Sequence, residues 1–599
     1  MNVRDELELL EQVQADAESM ADEVEARTGM GRREFVFFSV MSAAASTFGL
    51  GAKAAAQVAG GGQAQQQPAP PPLGNGEAVS WTFQPYPGGT GALMEKLIRE
   101  RGAAAFERRV FEVEPWTGPV PASRDDIAFL PAHRLSALIQ SRRLTSTQLT
   151  RIYLDRIKRL DPTLLCAVTI MEEQALAEAA RADAEIAAGR YRGPLHGIPY
   201  GVKDLFSTKG VRTTWGSKDF ENRVIDEDAE VVIRLREAGA VLMAKLATGL
   251  FAQGDQWYRG RTNNPWDIRR GSSGSSAGPS SATAAGCVGF GIGTETSGSI
   301  VSPARECGVS ALRPTYGRVS RYGGMVLAWS QDRVGPLCRT VEDCAMVFHV
   351  IHGVDLKDPS TVTTPFQFDR NISLASMRIG ADENAPAELM DKLRELGANP
   401  RTIGARPSLQ GGGLGVESAA AFDSYVMWKA KELGIDLATI PEPQRGGGRG
   451  AGGGRGDAGN PTGMAALTRW TNGRFPRAFE FVQQQRRRYT LISEMAELLK
   501  DLDMYVPGGS GGGQFDIGLH AQTGHPCVVV PYKFESPPAG RGGGPGRGGN
   551  QPPPAEQVVY NQQPICAVIA GNLYNDDLIL SVANQYQTHT EWHLRHPKL

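Results

Sequence analysis

What this sequence lacks first is an excess of charge of either sign: 63 lysines and arginines against 65 aspartates and glutamates leave a net charge of −2 over 599 residues. A chain so balanced draws neither nucleic acid nor an anionic membrane through its bulk field, which points to a small or neutral partner. Cysteine is sparse as well. The seven cysteines, at 166, 287, 307, 338, 344, 527 and 566, form no C-x-x-C pair, which excludes a zinc ribbon and a dense disulfide framework. Cys338 and Cys344 are near enough to pair in an oxidising compartment, but on one helix their spacing would turn them to different faces. No H-E-x-x-H, S-x-x-K or G-x-x-x-x-G-K-[ST] string occurs, so a zincin, a penicillin-binding-type enzyme and a phosphate loop lose their local signatures. Of nine histidines, only His589 and His593 suggest a ligand pair, at i, i+4, and with no acidic or third partner they read as a polar helix face. The expectation is chemistry without a metal or a cofactor.

What is present is a soluble composition, 41% hydrophobic and 21% charged, compatible with one large α/β domain carrying extensions. Residues 1–56 read as a signal region. Arg32 and Arg33 precede an apolar run diluted by Ser, Thr and Gly, and an Ala-rich site ends at Ala56, the order of a twin-arginine export signal. The mature chain would then start near Gln57 in the periplasm, with no membrane span left after cleavage. The alternative is an uncleaved anchor from Phe35 to Ala52, which its interruptions weaken. An acidic prefix at 2–29 implies either a long leader or a start at Met30. Residues 57–125 read as a Gly/Gln/Pro-rich tether and N-terminal extension, and 126–599 as the main domain. Two Gly/Arg tracts, at 445–456 and 540–554, resemble RNA-binding RGG segments but read here as disordered surface insertions.

Helical and strand-like signals alternate along the main domain. Thr145 with Gln148 makes a capping box, after which Leu149, Ile152, Tyr153, Ile157 and Leu160 recur at helical spacing. A second helix is expected from about 172 to 188, a strand ending at Val202, a helix from about 229 to 238, and a buried strand at 240–244.

Two segments carry chemistry. In "HGIPYGVKDLF", Lys203 follows an apolar strand signal, and burial at a strand end would favour the neutral amine and make it a base. Taken alone, the motif reads first as a surface lysine paired with Asp204. In "GSSGSSAGPSSATAAGCVGFGIGTETSGSI", residues 271–300, glycines permit close backbone approach and serines can attack a carbonyl or relay a proton. Its apolar half, 282–293, is too costly to leave in water as a linker.

These residues resemble the amidase signature family of serine hydrolases. The correspondence runs through Gly274-Ser275-Ser276-Ala277-Gly278, "GIGTETSGSI", Pro303-Ala304, Cys307-Gly308 and "LRPTYGRVS" from Leu312 to Ser320, with "GPLHGIPYGVKD" upstream and "DRVGPLCRTVEDCA", "DLDMYVPG" and "TGHPCVVVPY" downstream. It spans roughly Ile127 to Leu599. The resemblance implies a large mixed central β-sheet covered by helices on both faces. It further implies Ser299 as nucleophile, Ser275 as bridging serine on a cis Gly274–Ser275 peptide, Lys203 as base, and Thr296, Ser297 and Gly298 as oxyanion hole, with Gly274 and Ser276 supporting the loop. The substrate would be a small-molecule amide, and a homodimer is compatible with the family.

Departures from the pattern narrow this reading. Val301 stands where many relatives place an arginine that receives a substrate carboxylate, so a carboxylated substrate is disfavoured unless Arg305 substitutes. Ser297 replaces a common glycine and would crowd the hole. Trp215, Trp257 and Trp266 lie near the motifs and could line an apolar pocket, although core packing explains them equally. Two competing readings remain: the ammonia-releasing component of the tRNA-dependent amidotransferase (its A subunit), against which an export signal argues, and a catalytically silent binding protein whose Gly/Arg loops carry the function.

Overall fold

Apolar side chains that alternate between two separate cores organise this chain. Along the strand Cys527–Glu535, Cys527 and Val529 belong to one buried cluster, while Val528 and Val530 belong to another. The neighbouring strand Gln563–Gly571 repeats the division, with Cys566, Val568 and Ala570 on one side and Ala567 and Ile569 on the other. A period of two with both faces apolar is the mark of a sheet covered on both sides. The computed structural model describes residues 86–87, 89–407, 414–439, 470–508, 514–536 and 562–599. The expected export segment, the tether proper and both Gly/Arg tracts lie outside the described residues.

The sheet strands are β1 (Ala167–Ile170), β2 (Pro199–Lys203), β3 (Val241–Leu246), β4 (Phe290–Glu295), β5 (Ser310–Arg313), β6 (Arg333–Cys338), β7 (Ile379–Ala381), β8 (Arg401–Thr402), β9 (Met504–Val506), β10 (Cys527–Glu535) and β11 (Gln563–Gly571). They join as one mixed eleven-stranded sheet in the order β1-β3-β2-β4-β6-β5-β10-β11-β9-β7-β8. Strands β3, β2 and β4 run parallel, and β4, β6, β5, β10 and β11 are successively antiparallel. Helices Val301–Cys307 and Ala478–Leu499 cover one face, and Val341–Ile351 and Asp576–Thr588 the other. This is the α/β fold with a helix-covered mixed sheet that the sequence implied.

The local expectations fare well. Helix Ser146–Leu164 opens on the Thr145/Gln148 capping box with its five periodic apolar residues buried, and helices Glu172–Ala187 and Glu230–Glu237 and strands β2 and β3 stand where the patterns put them. Others change. Cys338 ends β6 while Cys344 lies in the next helix, so the shared-helix argument does not apply; both thiols are free and buried. His589 caps helix Asp576–Thr588 and His593 falls in the following turn, so the two share no helix face. Among the described residues no cluster of three metal-ligating side chains forms, and no helix is long and apolar enough to cross a membrane. Part of the N-terminal extension packs: Leu93 and Leu97 of helix Gly89–Arg101 meet Leu573 and Tyr574.

Helix Ala277–Ala284, "AGPSSATA", is buried along its whole length because its residues are small and its hydroxyls find carbonyls. Ser280 donates to Pro303 O at 2.7 Å and Ser281 to Asn263 O at 2.8 Å, while Gly278 N–H donates to Ala247 O at 2.8 Å. A Cβ at Gly278 would stand 2.3 Å from Ala247 N and 2.4 Å from Cys166 O, both backbone atoms that cannot yield alone. Gly278→Ala is therefore expected to push the helix off the β1/β3 edge and cost about 1–3 kcal/mol by urea unfolding; a loss under about 0.5 kcal/mol would contradict this packing.

Candidate active site

Strand β2 is buried at every residue and carries its last one, Lys203, into the interior with no exposed surface. The parallel register of β2 against β4 pairs Tyr200 with Phe290 and Val202 with Ile292, which brings Lys203 alongside Thr294. The lysine does not pair with Asp204. That carboxylate turns to the other side, where it lies 3.2 Å from the buried Lys245 and accepts the Thr214 N–H at 2.9 Å and the Thr214 hydroxyl. The surface-lysine reading of the motif thus fails, because β3 supplies Asp204 with a different cation.

Lys203 Nζ instead meets four uncharged oxygens: Ser275 Oγ at 2.8 Å, Thr294 Oγ1 at 2.9 Å, Ser276 Oγ at 3.1 Å and Thr294 O at 3.4 Å. Ser276 is locked into β4 from both directions, donating to Thr294 O at 3.0 Å and accepting from Thr294 N at 3.2 Å. The string Gly274–Gly278 also has the letters G-x-S-x-G with Ser276 central, but these bonds commit that hydroxyl to the framework. The Gly274–Ser275 peptide is cis. Gly274 is required there by contact, since a Cβ would fall 1.8 Å from Gly254 O. Ser272 and Ser273 belong to the loop: Ser272 N–H donates to Thr262 O at 3.0 Å, and Ser273 N–H to Asp255 at 3.1 Å.

Strand β4 then delivers the turn 296–300. Ser299 is half-buried, and its carbonyl accepts the Ser276 N–H at 3.1 Å, so the two serine segments are stitched together beside Lys203. Among the described residues the Ser299 hydroxyl has no hydrogen-bond partner, and the N–H groups of residues 296–299 donate to no protein acceptor. Ser297 is the exposed residue of the turn, and Gly298 adopts φ +95°. Two carboxylates hold this geometry, Glu295 and Asp332; both fall within the segments that carry the family resemblance, but sequence alone assigns neither a role. Glu295 accepts the N–H groups of Ile300 and Val301 at 2.8 and 2.9 Å and pairs with buried Arg313 at 2.9 Å. Asp332 accepts the Thr296 hydroxyl at 2.6 Å and the N–H groups of Leu327 and Ala328 at 2.8 and 3.0 Å.

Burial governs the electrostatics. It lowers Lys203 from its ordinary 10.5 to about 7, against the opposing pull of Asp332 and Glu295. It also raises the Asp332 carboxyl, against the bonds from Thr296, Leu327 and Ala328. Burial pushes Glu295 upward too, but Arg313 and the two N–H groups outweigh it and hold that carboxyl below its usual value. A neutral amine poised between hydroxyls, next to a turn with free N–H groups, can remove a proton from an alcohol and stabilise an oxyanion.

Compared with known proteins, the chain matches the family described as Amidase over residues 148–397. It is 34% identical over 493 residues to the A subunit of the glutamyl-tRNA(Gln) amidotransferase from Methylococcus capsulatus, covering 77% of this chain and 97% of that protein. The chain belongs to the amidase signature family. The like-named protein of Heliobacterium modesticaldum is 44% identical over 238 residues, 39% of this chain and 49% of its own. Among solved structures, the native peptide amidase from Stenotrophomonas maltophilia superposes with a TM-score of 0.62 at 26% identity, over 78% of this chain and 98% of that one. The 6-aminohexanoate cyclic dimer hydrolase, 19% identical with a TM-score of 0.61 over 79% of this chain and 99% of that one, shares the amidase signature fold.

The remaining candidates are structural in their contacts. Trp257 and Trp266 are core residues, the latter donating to Cys307 O at 2.8 Å, and Trp215 lies edge-on to Phe220 and Phe422 under the Arg223 guanidinium. The Arg305 guanidinium stacks 4.1 Å from the centre of the Phe515 ring.

The lysine site makes a signed prediction. The unfolded chain keeps the lysine proton up to about 10.5 and the folded site releases it near 7, so across that window the unfolded state binds more protons. The Lys203 contribution to stability therefore rises with pH from about 7 to 10.5. Urea unfolding at pH 7, 8 and 9 should show this rise in the wild type and lose it in Lys203→Met; parallel profiles would refute the lowered pKa.

Proposed function

We propose that this amidase signature enzyme is an exported serine amidase that hydrolyses a linear carboxylic amide through an acyl-enzyme on Ser299. The observation that carries the proposal is a fully buried lysine, 2.8 Å from Ser275 and, among the described residues, without a carboxylate partner, next to a Ser299 segment whose hydroxyl has no hydrogen-bond partner there. Neutral Lys203 takes a proton from Ser275 as Ser275 takes one from Ser299, whose oxygen attacks the amide carbonyl. The N–H groups of 296–299 receive the oxyanion, each worth ~2.7–4 kcal/mol in comparable sites. The relay returns a proton to the departing amine, and water then cleaves the acyl-enzyme by the same path in reverse. An ester would enter the same intermediate. The twin-arginine-type pattern at Arg32–Arg33 supports export to the periplasm.

A second reading is supported by the curated relatives: a tRNA-dependent amidotransferase component, which would release ammonia from glutamine for partner chains. The two part on whether the isolated chain turns over simple amides.

The test is a hydrolysis screen of the purified chain across aryl, fatty, peptide-terminal and short aliphatic amides, with Lys203→Ala and Ser299→Ala alongside. At least one class is expected to be cleaved, with kcat/KM rising through about pH 7 and falling by at least about 10³-fold in either variant. A fluorophosphonate should label Ser299. Activity retained in Lys203→Ala, or labelling at another serine, would sink the mechanism; turnover of glutamine only with partner chains present would favour the second reading. N-terminal sequencing of the periplasmic fraction should begin near Gln57.

A further inference from the structure

Away from this site, a cavity of about 140 Å³ opens beside Val354, where the segment after helix Val341–Ile351 meets the N-terminal extension. Phe106 and Arg108 of the extension form one wall, upstream of the residues the family match covers. The cavity is unusual in its unspent polar groups. His352 is 5% exposed and Thr364 2%, yet among the described residues neither ring nitrogen of His352 nor the Thr364 hydroxyl has a hydrogen-bond partner. Buried polar groups left unmatched are costly to a fold, so two of them lining one cavity mark a place built for a polar ligand.

The charge around the cavity shows which sign it favours. Arg108 donates through Nη2 to the carbonyls of His349 and Val350, the latter at 3.2 Å; its Nε and Nη1 have no acceptor among the described residues. Arg234 is largely spent, on Ile351 O, His352 O, Val354 O and Glu230, and Glu230 is shared with Lys357 at 2.9 Å. Arg108 and Arg234 thus line the cavity with one carboxylate, Glu107, while Glu230 is engaged by Arg234 and Lys357. Burial and the neighbouring Arg234 charge both lower the Arg108 guanidinium, a repulsion that a bound anion would relieve. Phe106, Phe366 and Val354 supply the apolar part of the lining, and Gly353 and Thr363 complete it.

We infer that this cavity binds a small carboxylate with a short apolar tail, the carboxylate held by Arg108, His352 and Thr364 and the tail packed between Phe106 and Phe366. An inorganic oxyanion would satisfy the charge and leave the apolar wall unused, and a neutral amide would leave Arg108 uncompensated.

Calorimetric titration of the full chain at pH 7 with butyrate, butyramide and inorganic phosphate tests the assignment. Butyrate is expected to bind with a Kd of about 1 mM or tighter, weakened at least about tenfold in Arg108→Gln and about threefold in Thr364→Val, with butyramide and phosphate failing to bind this site. Any carboxylate held at the catalytic site would be insensitive to these substitutions. Since Arg108 also caps a helix, near-UV circular dichroism checks its variant, and if that variant unfolds Thr364→Val decides. Butyrate binding that neither substitution weakens, no binding at 20-fold that concentration, or phosphate binding with the same dependence on Arg108 would each overturn the proposal.

Discussion

A lysine buried with no counter-ion among the described residues is the constraint around which the catalytic half of this fold is arranged. A cationic ammonium taken out of water needs an anion or a full set of hydrogen bonds; Lys203 receives only hydroxyl and carbonyl oxygens, from Ser275, Ser276 and Thr294. That environment can host the neutral amine at little cost and the charged one only poorly. The strand that carries the lysine is accordingly apolar and fully covered, and the helix behind the serine loop is built from small residues buried along its length.

The charges that do occur nearby are each occupied elsewhere. Asp204 turns to Lys245, Glu295 to Arg313 and two backbone N–H groups, and Asp332 to Thr296 and two more. The latter two carboxylates thereby grip the turn bearing Ser299 at both ends. Glu295 anchors the residues after the serine; Asp332 anchors Thr296 before it. The serine hydroxyl between them has no hydrogen-bond partner among the described residues.

The parts of this arrangement legible in the sequence are those encoded locally. The apolar run before Lys203 reads as a strand, while the place of Lys203 itself and the spacing of Ser275 and Ser299 within one Gly/Ser-rich segment read only through the family resemblance; sheet, helices and cis peptide stand where that reading put them. Asp332 and Glu295 lie within the resembling segments, but their contacts escape such reading for a physical reason. Their neighbourhood is created by antiparallel pairing of β4 with β6, in which Glu295 faces Arg333 and the preceding Asp332 comes level with Thr296, and no local pattern announces a register between segments almost forty residues apart. The same holds for Lys245, which reaches Asp204 only because β3 pairs with β2, setting Val202 beside Lys245. Cys338 and Cys344 stay unpaired as expected, but because one ends a strand and the other lies in the next helix rather than on two faces of one helix.

This division of labour also bears on why the lysine titrates near 7 rather than lower. Burial alone would drive the amine further toward neutrality, and an adjacent carboxylate would restore the ordinary ammonium; either extreme makes a poor base at neutral pH. Asp332 and Glu295 sit close enough to pull the value upward electrostatically, yet their oxygens are spent on the turn and on Arg313, so neither forms an ion pair with Lys203. The groups that position Ser299 are thus the groups that tune its base. A substitution at either carboxylate should move the placement of the turn and the basicity of the lysine together, which makes the two functions inseparable in this fold.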